Sequence, residues 1–228
     1  MESIAAHNQG VLQDLLHVLS QPLTTLHCAL EHSLEADVAA QMDDVAIALK
    51  QTDRVIEAVR LMREYLEAEE ACFLAEPFPL GLAIENALEE LSVLAEARDL
   101  RLFAFGTSRA TLAVKGAWVQ RALLYIVGLL LESEAPGRAI VILLEDGASQ
   151  SVISGHSLAV DASAVDASLD SAVRASHSNT LEQVRIAIAQ RVLASSGASV
   201  QFYSHGQSGF AIRIPRPPTT RPTAELTA

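Results

Sequence analysis

The first seventy residues hold one glycine, Gly10, and one proline, Pro22, and their apolar side chains fall on two long seams. The first seam runs through Leu12, Leu16, Leu19, Leu23, Leu26 and Leu30. Its steps alternate four and three, the spacing of a helix packed on other helices. The second, through Ala48, Thr52, Val55, Val59, Met62 and Leu66, alternates the same way. Between them, Ser33 to Asp44 carries acids and no long apolar period. The pattern predicts two long helices joined by a turn over residues 1–70, the second starting near Asp37 or Asp43, where a carboxylate can cap it. Two helices cannot bury seams this wide alone. Either a second copy completes a four-helix bundle, as in a twofold homodimer, or the rest of the chain covers the hairpin.

From Ala71 the pattern changes. Pro77 and Pro79 bound a short extended stretch. Leu80 to Ala97 reads as a helix with a stripe of Leu82, Ile84, Leu88, Leu91 and Leu94. Leu100 to Phe105 and Thr111 to Val114 read as short strands. Trp118 to Glu132 is apolar nearly all round and predicts a core helix. Ala139 to Leu144 reads as a strand, ending at the turn signal Glu145-Asp146-Gly147. A further strand is expected near Ser151 to Ile153, a helix over Leu181 to Ser195, and two strands over Val200 to Ser204 and Gly209 to Ile214. The order predicts an α+β fold: the helical hairpin, then an α/β layer over 75–215 with a mixed sheet and helices on one side. Ser154 to Asn179 is rich in Ser, Ala and Asp and reads as weakly structured. Four of the eight prolines lie in the last fourteen residues, which predicts a mobile tail over 216–228.

The formal net charge of −12 is set by 28 acids against 16 Lys and Arg. A phosphate backbone needs a basic surface, so nucleic acid is not an expected partner. Cys28 and Cys72 are too few for a disulfide framework and read as small reduced side chains in a core. The start Met1-Glu2-Ser3-Ile4 lacks the basic and apolar regions of a signal peptide. The longest apolar run, Ala122 to Leu131, is too short to span a bilayer. A cytoplasmic chain is expected.

His17-Val18-Leu19-Ser20-Gln21-Pro22-Leu23 lies inside the first helix. Proline there removes a backbone donor and bends a helix. His17 lies about one and a half turns before it and flanks seam positions, near the bundle yet within reach of solvent. Neutral imidazole can accept a phosphoryl group as a nucleophile. This segment resembles the phosphoacceptor box of two-component sensor histidine kinases, His-Glu/Asp-x-x-Thr/Asn/Gln-Pro-Leu, matching at His17, Gln21, Pro22 and Leu23. Trp118 to Ser133 is similar to the family's asparagine-box helix. Ala187 to Val200 with the strand pair ending at Ile214-Pro215 is similar to its last helix and closing strands. The resemblance covers most of the chain.

The departures concern ATP. The family's acid after the histidine, its general base in autophosphorylation, is here Val18, which takes no proton. Aligned by apolar pattern, the family's two asparagines fall on Leu124 and on Gly128, the second of them its Mg²⁺ holder. Its Asp-x-Gly-x-Gly motif is absent between Val152 and Thr180. Gln183 and Arg185 fall near its phosphate-cradling glycines, and no glycine occurs between Gly155 and Gly197. Losing these together while keeping the acceptor box is similar to kinase-derived histidine phosphotransferases. The resemblance implies a dimeric hairpin and a degenerate ATPase-like layer that binds no cofactor. His17 would be the phosphoacceptor and Gln21 an auxiliary residue, with Leu19, Ser20 and Pro22 forming a docking surface. The partner would be a response-regulator receiver domain, which brings its own acids and Mg²⁺. The alternatives are a non-catalytic adaptor resembling a pseudokinase, a receiver phosphatase that relies on Gln21, and an active kinase with a divergent nucleotide site.

Without the box, His17 reads as a solvated helix histidine. His27 and Glu31 share a face by their four-residue spacing and predict a surface cluster, with no metal site. His7, His156, His177 and His205 fall in end or loop segments and read as solvated.

Overall fold

The computed structural model describes residues 2–35, 38–68, 76–159, 180–203 and 208–215. Two long antiparallel helices come first, α1 (Glu2–Glu35) and α2 (Val38–Glu67). A β1 strand (Phe78–Pro79) leads into α3 (Leu80–Ala97), then β2 (Arg101–Gly106), β3 (Thr111–Leu112), α4 (Gly116–Ser133), β4 (Arg138–Asp146) and β5 (Gln150–Ala159). The last elements are α5 (Thr180–Ala194), β6 (Ser199–Tyr203) and β7 (Gly209–Pro215). The five-stranded sheet has the order β2-β4-β5-β7-β6, with β2 and β4 parallel and the other pairs antiparallel. β1 and β3 pair apart from it. This is an α+β fold of a helical hairpin and an α/β layer.

The seams divide between two faces. Leu15, Pro22 and Ala29 are buried, whereas their neighbours Leu16, Leu23 and Leu30 remain 57%, 48% and 49% exposed. Successive helical residues point about 100° apart, so these form two stripes. On α2, Ala48, Ala58, Leu61 and Tyr65 turn inward while Leu49, Ile56, Val59 and Leu66 stay out. The inward face is covered by the same chain. α5 lies against α1, α2 and α4 together, and Leu15, Leu61 and Tyr65 belong to the same apolar cluster as Val119, Ile126, Ile188 and Val192.

The sheet corrects one expectation. β5 continues through Ala159, so the weakly structured segment does not begin at Ser154. Composition hides this strand because its inward positions include Ser151, Gly155 and Ser157. Both serines are fully buried and bonded, Ser157 Oγ accepting from Arg138 Nε at 2.8 Å and Ser151 Oγ donating to Asp146 at 2.7 Å. Glycine is required at 155, since a Cβ there would lie 2.3 Å from the Phe210 ring that fills the core. His156 lies on this strand rather than in a loop, its Nδ1 3.1 Å from the Tyr203 hydroxyl. β3 is shorter than expected, ending at Leu112. Gly197, at φ +78°, closes α5: its N–H reaches the Ala194 carbonyl and that of Ala198 the Leu193 carbonyl. Cys28, expected in a core, is exposed on α1. Residues 160–179, the tail over 216–228, and Cys72, His177 and His205 lie outside the described residues.

Candidate functional site

α1 runs on through Pro22 as one helix of 34 residues. Proline has no N–H, so the Val18 carbonyl lacks its usual donor one turn on. The hydroxyls around it are satisfied locally: Ser20 donates to the Leu16 carbonyl at 2.8 Å, Thr24 to that of Ser20 at 2.9 Å, and Thr25 to that of Gln21 at 3.1 Å. Among the described residues, these hydroxyls bond only within their own helix.

The structure brings His17 and Gln21 together. Both are exposed, and Gln21 Nε2 lies 3.5 Å from His17 Nε2. With the amide as donor, Nε2 accepts with its lone pair, and the tautomer that allows this has its ring hydrogen on Nδ1. Of the expected docking residues, Ser20 is exposed, Leu19 is half-buried, and Pro22 is buried. Beside this turn opens a cleft of about 740 Å³. Val18, Ser20, Gln21, Pro22, Thr24 and Thr25 line it from α1, Gln51 and Arg54 from α2, and Leu181 from α5. Gln51, Arg54 and Leu181 are not marked by any sequence motif. They join the box only because the helices assemble.

One register contact was equally illegible. His32 Nδ1 and Asp44 Oδ2 are 2.7 Å apart and tie the ends of α1 and α2 together. His27 and Glu31 form the expected exposed pair, at 3.3 Å.

The positions that resemble the family's nucleotide site are otherwise employed. Leu124 is half-buried against the core, and Gly128 is buried, where a Cβ would meet Leu91 of α3 at 3.8 Å. Neither offers a side-chain oxygen to a metal ion or a side-chain donor to a phosphate. Arg185 of α5 bridges two carboxylates, Glu57 of α2 at 3.0 Å and Glu132 of α4 at 3.2 Å. Arg60 doubles the clasp, reaching Glu57 at 2.8 Å and Glu64 at 3.2 Å, while the Tyr125 hydroxyl donates to Glu64. The hydrogen bonds from Arg60, then Arg185, hold the Glu57 carboxyl below the usual carboxylate range. Burial, with Glu64 as acceptor, pushes the Tyr125 phenol well up. Gln183 is exposed. Charged side chains thus join α2, α4 and α5 where the family's glycine-rich turn would be.

Among the described residues, no cluster of three His, Cys, Asp or Glu side chains forms a metal site, and no helix is long and apolar enough to cross a membrane.

No family model and no curated protein matches the sequence. Solved structures match the fold. Histidine kinase ThkA, in complex with the response regulator protein TrrA, gives a TM-score of 0.67 at 13% identity over 96% of this chain and 65% of that one. The Acinetobacter baumannii histidine kinase AdeS gives 0.59 at 14% identity, over 87% of this chain and 97% of its own. A histidine kinase from Burkholderia phymatum gives 0.50 at 13%, over 88% and 97%. The chain therefore has the fold of a histidine-kinase core, a helical hairpin followed by an ATPase-like α/β layer. At such identities the likeness establishes the fold, and the chemistry must be argued from the residues.

Proposed function

We propose that the chain is a histidine phosphotransferase that relays a phosphoryl group between receiver-domain aspartates through His17, without ATP. The observation that best supports this is the pairing of an exposed His17 with apolar or ion-paired side chains where a nucleotide would need polar ones. The chemistry fits Val18 as well. In transfer from an acyl phosphate, the neutral ring nitrogen already has a free lone pair and the leaving carboxylate needs no proton. A base beside the histidine is therefore dispensable. The receiver supplies its own acids and Mg²⁺. That ThkA was solved in complex with a response regulator supports a receiver as the docking partner.

The test is to load candidate receivers with labelled phosphate through their own kinases and add this chain, with ATP alone as the control. Acid-labile label on the chain from a receiver, and none from ATP, is the expected result. Label from ATP alone overturns the reading. Phosphate lost from the receiver with none on the chain would favour a receiver phosphatase, the reading to which the exposed Gln21 beside His17 lends support.

The same reading includes a homodimer through the hairpin. Leu16, Leu23 and Leu30, seven residues apart, form an outward stripe beside Leu49, Ile56, Val59 and Leu66. A heptad stripe suits a second hairpin. Sedimentation equilibrium should give twice the 24.4 kDa chain mass for the wild type and a single mass for the Leu23→Glu/Leu30→Glu double variant. A monomeric wild type, or a dimeric double variant, would remove the dimer from the proposal.

A further inference from the structure

The cleft at the Gln21–Pro22 turn, one turn from His17, carries an unspent cation. Of the hairpin's arginines, Arg60 is bound to Glu57 and Glu64, and Arg63 to Glu67 at 2.6 Å. Arg54 alone makes no ion pair among the described residues; its contact is with the Gln51 amide oxygen at 3.4 Å. Glu57, one turn further along α2, does not serve it, because Arg60 and Arg185 already occupy that carboxylate. None of the residues lining the cleft is acidic, in a chain whose net charge is −12.

The hairpin register brings this charge to the box. The His32–Asp44 contact ties α1 to α2. In antiparallel helices, advancing ten residues along α2 to Arg54 means going back ten along α1, to Pro22. Arg54 thus stands level with the turn that carries Gln21, about 7 Å along the axis from His17. The planar guanidinium fork matches a phosphoryl group, offering paired N–H donors to its oxygens. An acidic chain approached by a phosphorylated receiver repels the group it must accept, and a local cation offsets this.

We infer that Arg54 is the anion anchor of this site, its guanidinium holding the oxygens of the phosphoryl group as the group passes onto His17. The inference rests on the reading of His17 as phosphoacceptor. In the step, the P–O bond to the receiver aspartate breaks and its carboxylate leaves with the electron pair. The ring nitrogen forms the P–N bond, and the proton on the other ring nitrogen passes to solvent. Arg54 neither gains nor loses a proton.

The test is single-turnover transfer from a loaded receiver to the full chain, with Arg54→Gln and Arg54→Lys beside wild type, over a range of receiver concentrations. Arg54→Gln should lower the maximal rate roughly tenfold, as for loss of a charge-assisted hydrogen bond. Half-saturation should change little, and Arg54→Lys should recover much of the rate. Raising the ionic strength should slow wild type more than Arg54→Gln. The exposed position, with no ion pair among the described residues, predicts unchanged melting for both variants. An Arg54→Gln rate equal to wild type, an effect confined to half-saturation, or a lysine no better than glutamine would each overturn the anchor while leaving His17 in place. A wild type that takes no label at His17 would overturn both.

Discussion

His17→Gln will take no label from a loaded receiver, a loss of at least about a thousandfold, while still binding that receiver. Glutamine keeps a polar side chain of similar reach, but its amide nitrogen has no lone pair available for attack on phosphorus. His17 is exposed, so the substitution should leave stability within about 0.5 kcal/mol. Transfer and binding are read separately, by label retained on the chain and by titration of the receiver. A variant that abolishes label but keeps binding supports the relay. If the wild type binds and is never labelled, the chain is an adaptor. Gln21→Ala divides the field further: a relay should still take label at His17, whereas a phosphatase that positions water with Gln21 should stop dephosphorylating its receiver.

Tyr65→Ala will lower stability by about 3–5 kcal/mol, as expected for removing a large buried aromatic side chain. Tyr65 is 2% exposed and joins the hairpin to the α/β layer. The Arg191 guanidinium of α5 lies 4.7 Å from its ring centroid. Truncation leaves a cavity at this junction and removes the face on which the cation rests. Urea denaturation followed by far-UV circular dichroism should show one transition in wild type and a markedly lower midpoint in the variant. A loss below about 1 kcal/mol, or a second transition at the wild-type midpoint, would mean that the hairpin folds apart from the layer.

Much of the architecture is legible in the residues. The heptad seams and the scarcity of glycine and proline mark α1 and α2, and the Pro22 box marks where chemistry could sit. The all-round apolar stretch near Trp118 marks the core helix α4. What periodicity does not say is which of two adjacent stripes turns inward. Leu15 and Leu16 differ only in what lies opposite them, and α5, more than a hundred residues later, decides it. β5 is hidden for a related reason: Ser151 and Ser157 look like loop residues until Asp146 and Arg138 are folded against them. The site is read only by half. His17 and Gln21 share one helix face and follow from spacing. Arg54 is singled out by what its neighbours do, since the competition of Arg60 and Arg185 for Glu57 cannot be read from either helix alone.

α5 has a consequence for how such a relay would be controlled. A joint between two bodies needs a boundary that water can enter cheaply. Parting the hairpin from the α/β layer would instead bare Leu15, Leu61 and Tyr65 and break the Arg185–Glu57 clasp. Each buried apolar side chain of this size resists hydration by about 1.5–3 kcal/mol, so the parted state is scarcely populated. A body without a joint presents the same face to every receiver, phosphorylated or not. A relay of the proposed kind, built on such a body, would conduct phosphate without gating it. The direction of flow would then follow mass action between the receivers, and the timing would be theirs to set.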